Sequence, residues 1–248
     1  MSDAGSLRAI CAPSDAVFPQ AGEGPLGLVL LDTRFPRPPG DAGNPASWPV
    51  PVLTHVVPKA WPDQVVTSAQ ALREGPLPAL FAQAMRQLAA QGAKAITTSC
   101  GFLVLLQPEV QAAVPVPVVT SSLMLLPSLL AREPQVGVLT ISARNLSRDH
   151  LLAAGVANER IGDVAVQGMD SQGEFVRAIL GNDTRMDLAQ AEREVVAAAR
   201  ALQQRVPALS TLVLECTNMP PYTRAVREAT GLRVLSLFDA LGCAISPH

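Results

Sequence analysis

The sequence predicts an α/β protein made of two related halves, each with a mainly parallel sheet flanked by helices. Three observations carry that prediction. Apolar runs of strand type alternate with helical patterns along the chain, the signature of βαβ units. Two cysteines close such runs at matching places, Ala95-Ile-Thr-Thr-Ser-Cys100 and Thr211-Leu-Val-Leu-Glu-Cys216. The register continues past each thiol, because Val118-Val-Thr120 answers Val234-Leu-Ser236 without a gap.

In chain order, the predicted strands are Leu26 to Leu31, Val52 to Val57, Ala95 to Thr98, Val116 to Thr120, Val136 to Thr140, Asp163 to Gln167, Thr211 to Leu214 and Val234 to Leu237. Each is a short apolar run, several of them rich in β-branched residues and bounded by turn-forming residues. Helices are expected over Leu77 to Gln91, Leu146 to Ala154 and the long Asp187 to Gln204. Gly155 and Gly231 stand where a helix C-terminus takes a left-handed residue, and Pro220 and Pro221 suit the first turn after Cys216. Pro127 falls inside a helical run and is expected to bend it. The opening strands of the halves also correspond, Gly27-Leu-Val-Leu-Leu-Asp32 with Gly137-Val-Leu-Thr-Ile-Ser142.

Composition narrows the function classes. At 248 residues with 48% hydrophobic content the chain can build a large core, and a net charge of −2 leaves no basic footprint for nucleic acid. No apolar stretch is long enough to cross a bilayer, and Met1-Ser-Asp-Ala-Gly-Ser lacks the basic start and apolar core of a signal peptide. A soluble, cytoplasmic protein is expected, with homo-oligomerisation left open. Four cysteines are too sparse for a secreted disulfide scaffold, and Cys11 and Cys243 are read as core fillers.

Other chemistry has little support. His55, His150 and His248 show no zinc-ligand spacing, and no phosphate loop or nucleophile elbow is present. The chain has two lysines, Lys59 and Lys94. Only Lys59, after a strand, is placed to form a Schiff base, and its neighbours give that no further support.

Ligands of open α/β sheets bind beyond the carboxyl ends of the strands. Asp32, Cys100, Thr120, Ser142 and Cys216 all belong at that edge. The Pro- and Gly-rich stretch from Phe35 to Trp48 is expected to be a loop over the cleft, with Gly40-Asp-Ala-Gly-Asn44 able to approach a ligand.

These residues resemble the cofactor-independent aspartate/glutamate racemase superfamily, which includes hydantoin racemases, maleate isomerases and arylmalonate decarboxylases. The resemblance runs from Leu26 to about Asp239 and is anchored on Asp32, Cys100 and Cys216-Thr217-Asn218. It implies two similar Rossmann-like lobes with the active site between them. The first would comprise 1–132 plus 232–248 and the second 133–231, the tail after Gly231 packing back on the first lobe. It also implies an enzyme that needs no cofactor or metal and acts on a small carboxylate-bearing compound, most simply an amino-acid racemase for an aspartate- or glutamate-like substrate. Hydantoin racemase, maleate-type cis–trans isomerase and a non-catalytic two-lobed binding protein remain alternatives.

The expected chemistry is 1,1-proton transfer. One thiolate removes the α-proton, the opposite thiol returns a proton to the other face, and backbone donors near the helix N-termini hold the carboxylate and favour the thiolate. Cys100, Cys216 and Asp32 form the expected catalytic set, with Asp32 equally readable as a cap. Asn44, Ser99, Gly101, Ser121, Ser122, Thr140, Thr217 and Asn218 form the expected binding set. Gly101-Phe102 stands where amino-acid racemases commonly have Asn-Thr, and Asn218 where glutamate racemases have histidine and aspartate racemases glutamate. Both departures point away from strict glutamate specificity, although Arg34 is a candidate clamp for a distal carboxylate.

Overall fold

The computed structural model describes residues 24–242. Cys11, Cys243 and His248 lie outside them. The described residues form two four-stranded parallel sheets. In the first, β1 (Leu26–Leu31), β2 (Val52–Val57), β3 (Ala95–Thr98) and β4 (Val118–Val119) lie in the order β2-β1-β3-β4. In the second, β5 (Val136–Thr140), β6 (Val164–Gly168), β7 (Thr211–Leu214) and β8 (Arg233–Leu235) repeat it as β6-β5-β7-β8. Even the pairing register is shared, for Ile96 faces Val118 and Leu212 faces Val234 at equal separation in sequence.

The helices are α1 (Pro62–Val65), α2 (Ala69–Glu74), α3 (Leu77–Ala90), α4 (Gln107–Ala112), α5 (Leu126–Leu130), α6 (Arg148–Ala153), α7 (Glu174–Leu180), α8 (Leu188–Arg205), α9 (Thr223–Thr230) and α10 (Leu237–Ala240). In α3, Phe81, Ala84, Met85 and Leu88 are buried at the three- and four-residue spacing of one helix face. The long α8 buries Ala191, Val195, Ala198, Ala199 and Leu202 in the same way. It starts where the Asp187 side chain accepts from the Gln190 amide at 3.0 Å. The α9 helix ends at Gly231, whose φ of 70° is the left-handed cap expected there. Among the described residues no helix is long and apolar enough to cross a membrane.

Three expectations change. The tail does not leave the second lobe at Gly231: β8 pairs with β7, and the return to the first lobe comes at α10. Leu237 opens that helix rather than closing a strand. Pro127 bends nothing, because it sits in the first turn of α5, where a missing N–H costs no bond.

The core explains how the halves hold together. One contiguous apolar cluster runs from Val29, Phe81 and Ile96 of the first lobe through Leu103 and Leu126 to Val138, Leu202 and Val213 of the second. A smaller cluster lies on the other face of the first sheet, where Ala42, Trp48, Leu237, Phe238 and Leu241 cover Leu26 and Leu28. The Pro/Gly-rich stretch therefore packs down on that sheet. Trp48 lies 4.4 Å from the Phe238 ring centroid and donates its Nε1–H to the Ala42 carbonyl at 2.9 Å.

Candidate active site

The carboxyl ends of β1, β3, β5 and β7 converge between the lobes. There a cleft is lined by Ser99, Cys100, Gly101 and Phe102 from one lobe and by Glu215, Cys216, Thr217 and Asn218 from the other. Leu31, Phe35, Pro62, Val66, Ile141 and Ile179 complete its apolar walls. Both thiols are free and buried, 8% and 7% exposed, so each can face a ligand without being open to bulk solvent.

Hydrogen bonds across the lobes fix this arrangement. Thr217 Oγ1 donates to the Ser99 carbonyl at 2.6 Å, and Ser122 Oγ donates to the Leu214 carbonyl at 2.7 Å. The Ala42 amide donates to the Thr217 carbonyl at 3.1 Å. On the opposite rim, Asn145 Nδ2 donates to the Val66 carbonyl at 2.9 Å and Asn182 Nδ2 to the Asp32 carbonyl at 3.1 Å.

Each thiol has its own surroundings. The Cys216 thiol faces Asn218 Oδ1 at 3.6 Å, and Asn218 Nδ2 donates to Asp41 Oδ2 at 2.8 Å. Asp41 is almost fully buried and also pairs with Arg37 at 2.8 Å, whose guanidinium lies over the Phe35 ring. A four-residue chain thus runs from the loop to the second thiol. The backbone amides of Phe102 and Leu103 favour ionisation of Cys100, but burial and the Glu215 charge outweigh them and push that thiol up to about 12. Burial and Glu215 likewise raise Cys216 well above the ordinary thiol range. The expected depression of the thiols is therefore absent, because desolvation exceeds what a short helical turn can offset.

Glu215 is the residue the sequence reading passed over. It is 1% exposed, its Oε2 accepts from Thr140 Oγ1 at 2.7 Å, and its Oε1 has no hydrogen-bond partner. Burial pushes its carboxyl up to about 7. A side chain on Gly101 would collide with the Glu215 carboxyl and carbonyl oxygens, so the residue after the first thiol must be glycine. The available signal was one acidic residue closing an otherwise apolar strand, directly before a cysteine.

The other expected residues divide clearly. Cys100, Cys216, Ser99, Gly101, Thr217 and Asn218 meet at the cleft. Thr140 stands behind Glu215 rather than in the lining, and Ser122 ties the lobes. Ser121 caps the turn that follows β4, and Asn44 caps Pro45–Ser47 while donating to the Arg37 carbonyl. Asp32 points its carboxylate at the Lys59 amide, 3.0 Å away, and does not line the cleft. Arg34 is exposed and Arg37 is the inward arginine. Lys59 and Lys94 are both exposed, while His150 is buried behind Phe102 and lowered by burial to about 4.

Comparison with known proteins agrees with this architecture. A profile of the Asp/Glu/hydantoin racemase family matches residues 64–242, and the chain belongs to that family. It is accordingly an enzyme. A dimethylsulfoniopropionate lyase of Durusdinium sp. clade D is 30% identical over 236 residues, covering 92% of this chain and 75% of that protein. Dimethylsulfoniopropionate lyase 5 of Emiliania huxleyi is 29% identical over 231 residues, which are 85% of this chain but only 42% of the larger protein. Among solved structures, an allantoin racemase from Klebsiella pneumoniae has a TM-score of 0.57 at 15% identity, covering 91% of each chain. A cysteine-for-glycine variant of arylmalonate decarboxylase has the same TM-score at 17% identity, covering 91% of this chain and 97% of that one. These structures share the fold.

Proposed function

We propose that the protein is a lyase that removes the α-proton of a small β-sulfonio carboxylate and expels the sulfide, with dimethylsulfoniopropionate as the first candidate. The observation that carries this reading is the charge of the cleft. Among the described residues that line it, Glu215 is the single charged side chain, and the remaining wall is largely apolar. A dicarboxylate would bring two negative charges to a buried surface with no lining cation, at a large desolvation cost. A compact zwitterion suits it better, its methylated cation against Phe35, Phe102 and the acidic site. The named lyase relatives add support.

In this reading the substrate carboxylate lies against Ser99, Thr217 and Asn218 at the ends of β3 and β7. Cys100 is the base, because two backbone amides favour its thiolate and its proton is not engaged as that of Cys216 is with Asn218. Sulfur takes the α-proton, the C–H electron pair forms the carbon–carbon double bond, and the β-carbon–sulfur bond breaks to give dimethyl sulfide and acrylate. Free thiols of this kind belong in a reducing, cytoplasmic setting.

A second reading is the amino-acid racemase of aspartate/glutamate type, by two-cysteine proton transfer and without cofactor. One observation favours it: thiols from equivalent strand ends of both lobes reach one cleft, which inversion requires and elimination does not. The deciding experiment incubates the purified chain in deuterated water with dimethylsulfoniopropionate, aspartate, glutamate, hydantoins and maleate. Dimethyl sulfide with acrylate is expected. Deuterium in both enantiomers of an amino acid without sulfide release would replace the lyase by the racemase, and turnover of maleate alone would replace it by the isomerase.

A further inference from the structure

We propose that Glu215 is the proton acceptor that ionises Cys100, its partnerless Oε1 taking the thiol proton in the closed cleft and later passing it to solvent. The inference rests on the two-thiol site described above and adds the group that makes so poorly ionised a site into a base.

Three geometric facts point to it. Glu215 lines the cleft with both thiols, one carboxyl oxygen is held by Thr140, and the other is buried without a partner. An acceptor left open inside a protein calls for a reason, since nearly all such groups are satisfied. Gly101 supplies the room, for any side chain there would displace the carboxyl from its place beside the backbone that follows Cys100.

The step balances. The Cys100 S–H bond breaks and an O–H bond forms on Glu215, so the site keeps one negative charge, now on sulfur. The thiolate takes the α-proton and becomes a thiol again, with the C–H pair leaving toward the β-carbon. Converting a zwitterion to acrylate and a neutral sulfide yields one net proton per turnover, and that proton is the one on Glu215. A carboxyl raised by burial to about 7 releases it near neutrality, whereas a thiol near 12 would keep it.

Of the other ionisable groups around the site, Arg37 and Asp41 on the loop form an ion pair, Tyr222 beside Cys216 is kept protonated by burial, and His150 behind Phe102 is lowered by burial to about 4.

The test begins without substrate, so that it survives failure of the lyase reading. Iodoacetamide labelling of Cys100 in the full chain, read by peptide mass spectrometry from about pH 5 to about pH 9, should rise to a break near pH 7 and then flatten. Glu215→Gln should remove the break, and Thr140→Val, which takes away the donor favouring the carboxylate, should move it upward. Near-UV circular dichroism checks that both variants are folded. If Glu215→Gln does not fold, the Thr140→Val shift decides alone. Superposable labelling curves overturn the inference. With dimethylsulfoniopropionate as substrate, Glu215→Gln should lower kcat by about 10²-fold or more at pH 8 with little change in KM, the scale of general-base assistance. A break in labelling without sulfide release keeps the inference and removes the lyase; unchanged kcat in the Gln variant removes the inference.

Discussion

The two strand ends that carry the thiols are built on one plan and differ in a single trade. In the first lobe Ser99 precedes the cysteine and accepts from the Leu31 amide of β1. In the second lobe Glu215 precedes it and accepts from the Thr140 hydroxyl of β5. After the cysteines stand Gly101 and Thr217, and these cross over: Thr217 bonds to the Ser99 carbonyl, while Gly101 makes room for Glu215. A small neutral residue is matched with a threonine, and a large ionisable one with a glycine. Glu215 acts on both thiols, but the near-symmetric scaffolds give them different polar partners, the Phe102 and Leu103 amides at Cys100 and the Asn218 side chain at Cys216, which is what a reaction with a distinct base requires.

Replacing the thiols one at a time breaks that comparison most severely. Cys100→Ser is expected to lower kcat by about 10³-fold or more, because a serine hydroxyl is a far weaker acid. Cys216→Ser should cost less if the reaction is an elimination and as much if it is an inversion, and sulfide release or isotope exchange reads the difference. Circular dichroism should show both variants folded.

The chain behind Cys216 has no counterpart behind Cys100. Asp41→Ala leaves the partly buried Arg37 without its carboxylate and removes the acceptor for Asn218. A loss of about 3 kcal/mol by urea unfolding is expected.

Glu215 also gives the second strand end a pH signature that Ser99 cannot. Its folded-state value, raised from the ordinary 4.5 to about 7, means that the native state holds the proton more tightly than the unfolded chain. Its contribution is complete below about 4.5 and is lost as the pH rises through 7, on the order of 3 kcal/mol. His150 opposes it. Lowered from 6.5 to about 4, it destabilises the fold in acid and stops doing so as the pH rises to 6.5. The wild type should show a shallow stability profile between these values, and Glu215→Gln a rising one, measured by urea midpoints at fixed pH steps.

Gly101→Ala tests the crossover itself. The added methyl group must displace Glu215, at about 1–3 kcal/mol, and Glu215→Ser in the same chain should recover only part of that loss, because the backbone carbonyl oxygen of residue 215 crowds the methyl group as closely as the carboxyl does. Asp32→Asn is the mildest change. The amide oxygen can still accept from the Lys59 amide, so stability should stay within about 0.5 kcal/mol and turnover within a few-fold. A drop of about 10²-fold in kcat would return Asp32 to the catalytic set.

The strands and both thiols were legible because apolar runs ending in cysteine encode their own address. The same pattern carried more than was taken from it. If Val118-Val-Thr120 answers Val234-Leu-Ser236 and β4 pairs with β3, then β8 must pair with β7, as it does. The expectation that the tail left at Gly231 came from the resemblance and overrode that register. Glu215 stood in plain view beside Cys216, but its burial depends on Gly101, more than a hundred residues earlier in the chain. Arg37 and Asp41 were hidden for a related reason. In a loop rich in proline and glycine their pairing reads as solvated, and only packing of Ala42 and Trp48 against the sheet draws it inside.

The apolar cluster that crosses both lobes has a consequence for cooperativity. Neither half owns a complete interior, since residues from Val29 to Val234 share one. The halves should therefore melt together, in a single calorimetric transition whose van't Hoff and calorimetric enthalpies agree. Severing the chain between Arg132 and Gln135 would leave two fragments with large apolar faces in water, soluble only when they find each other.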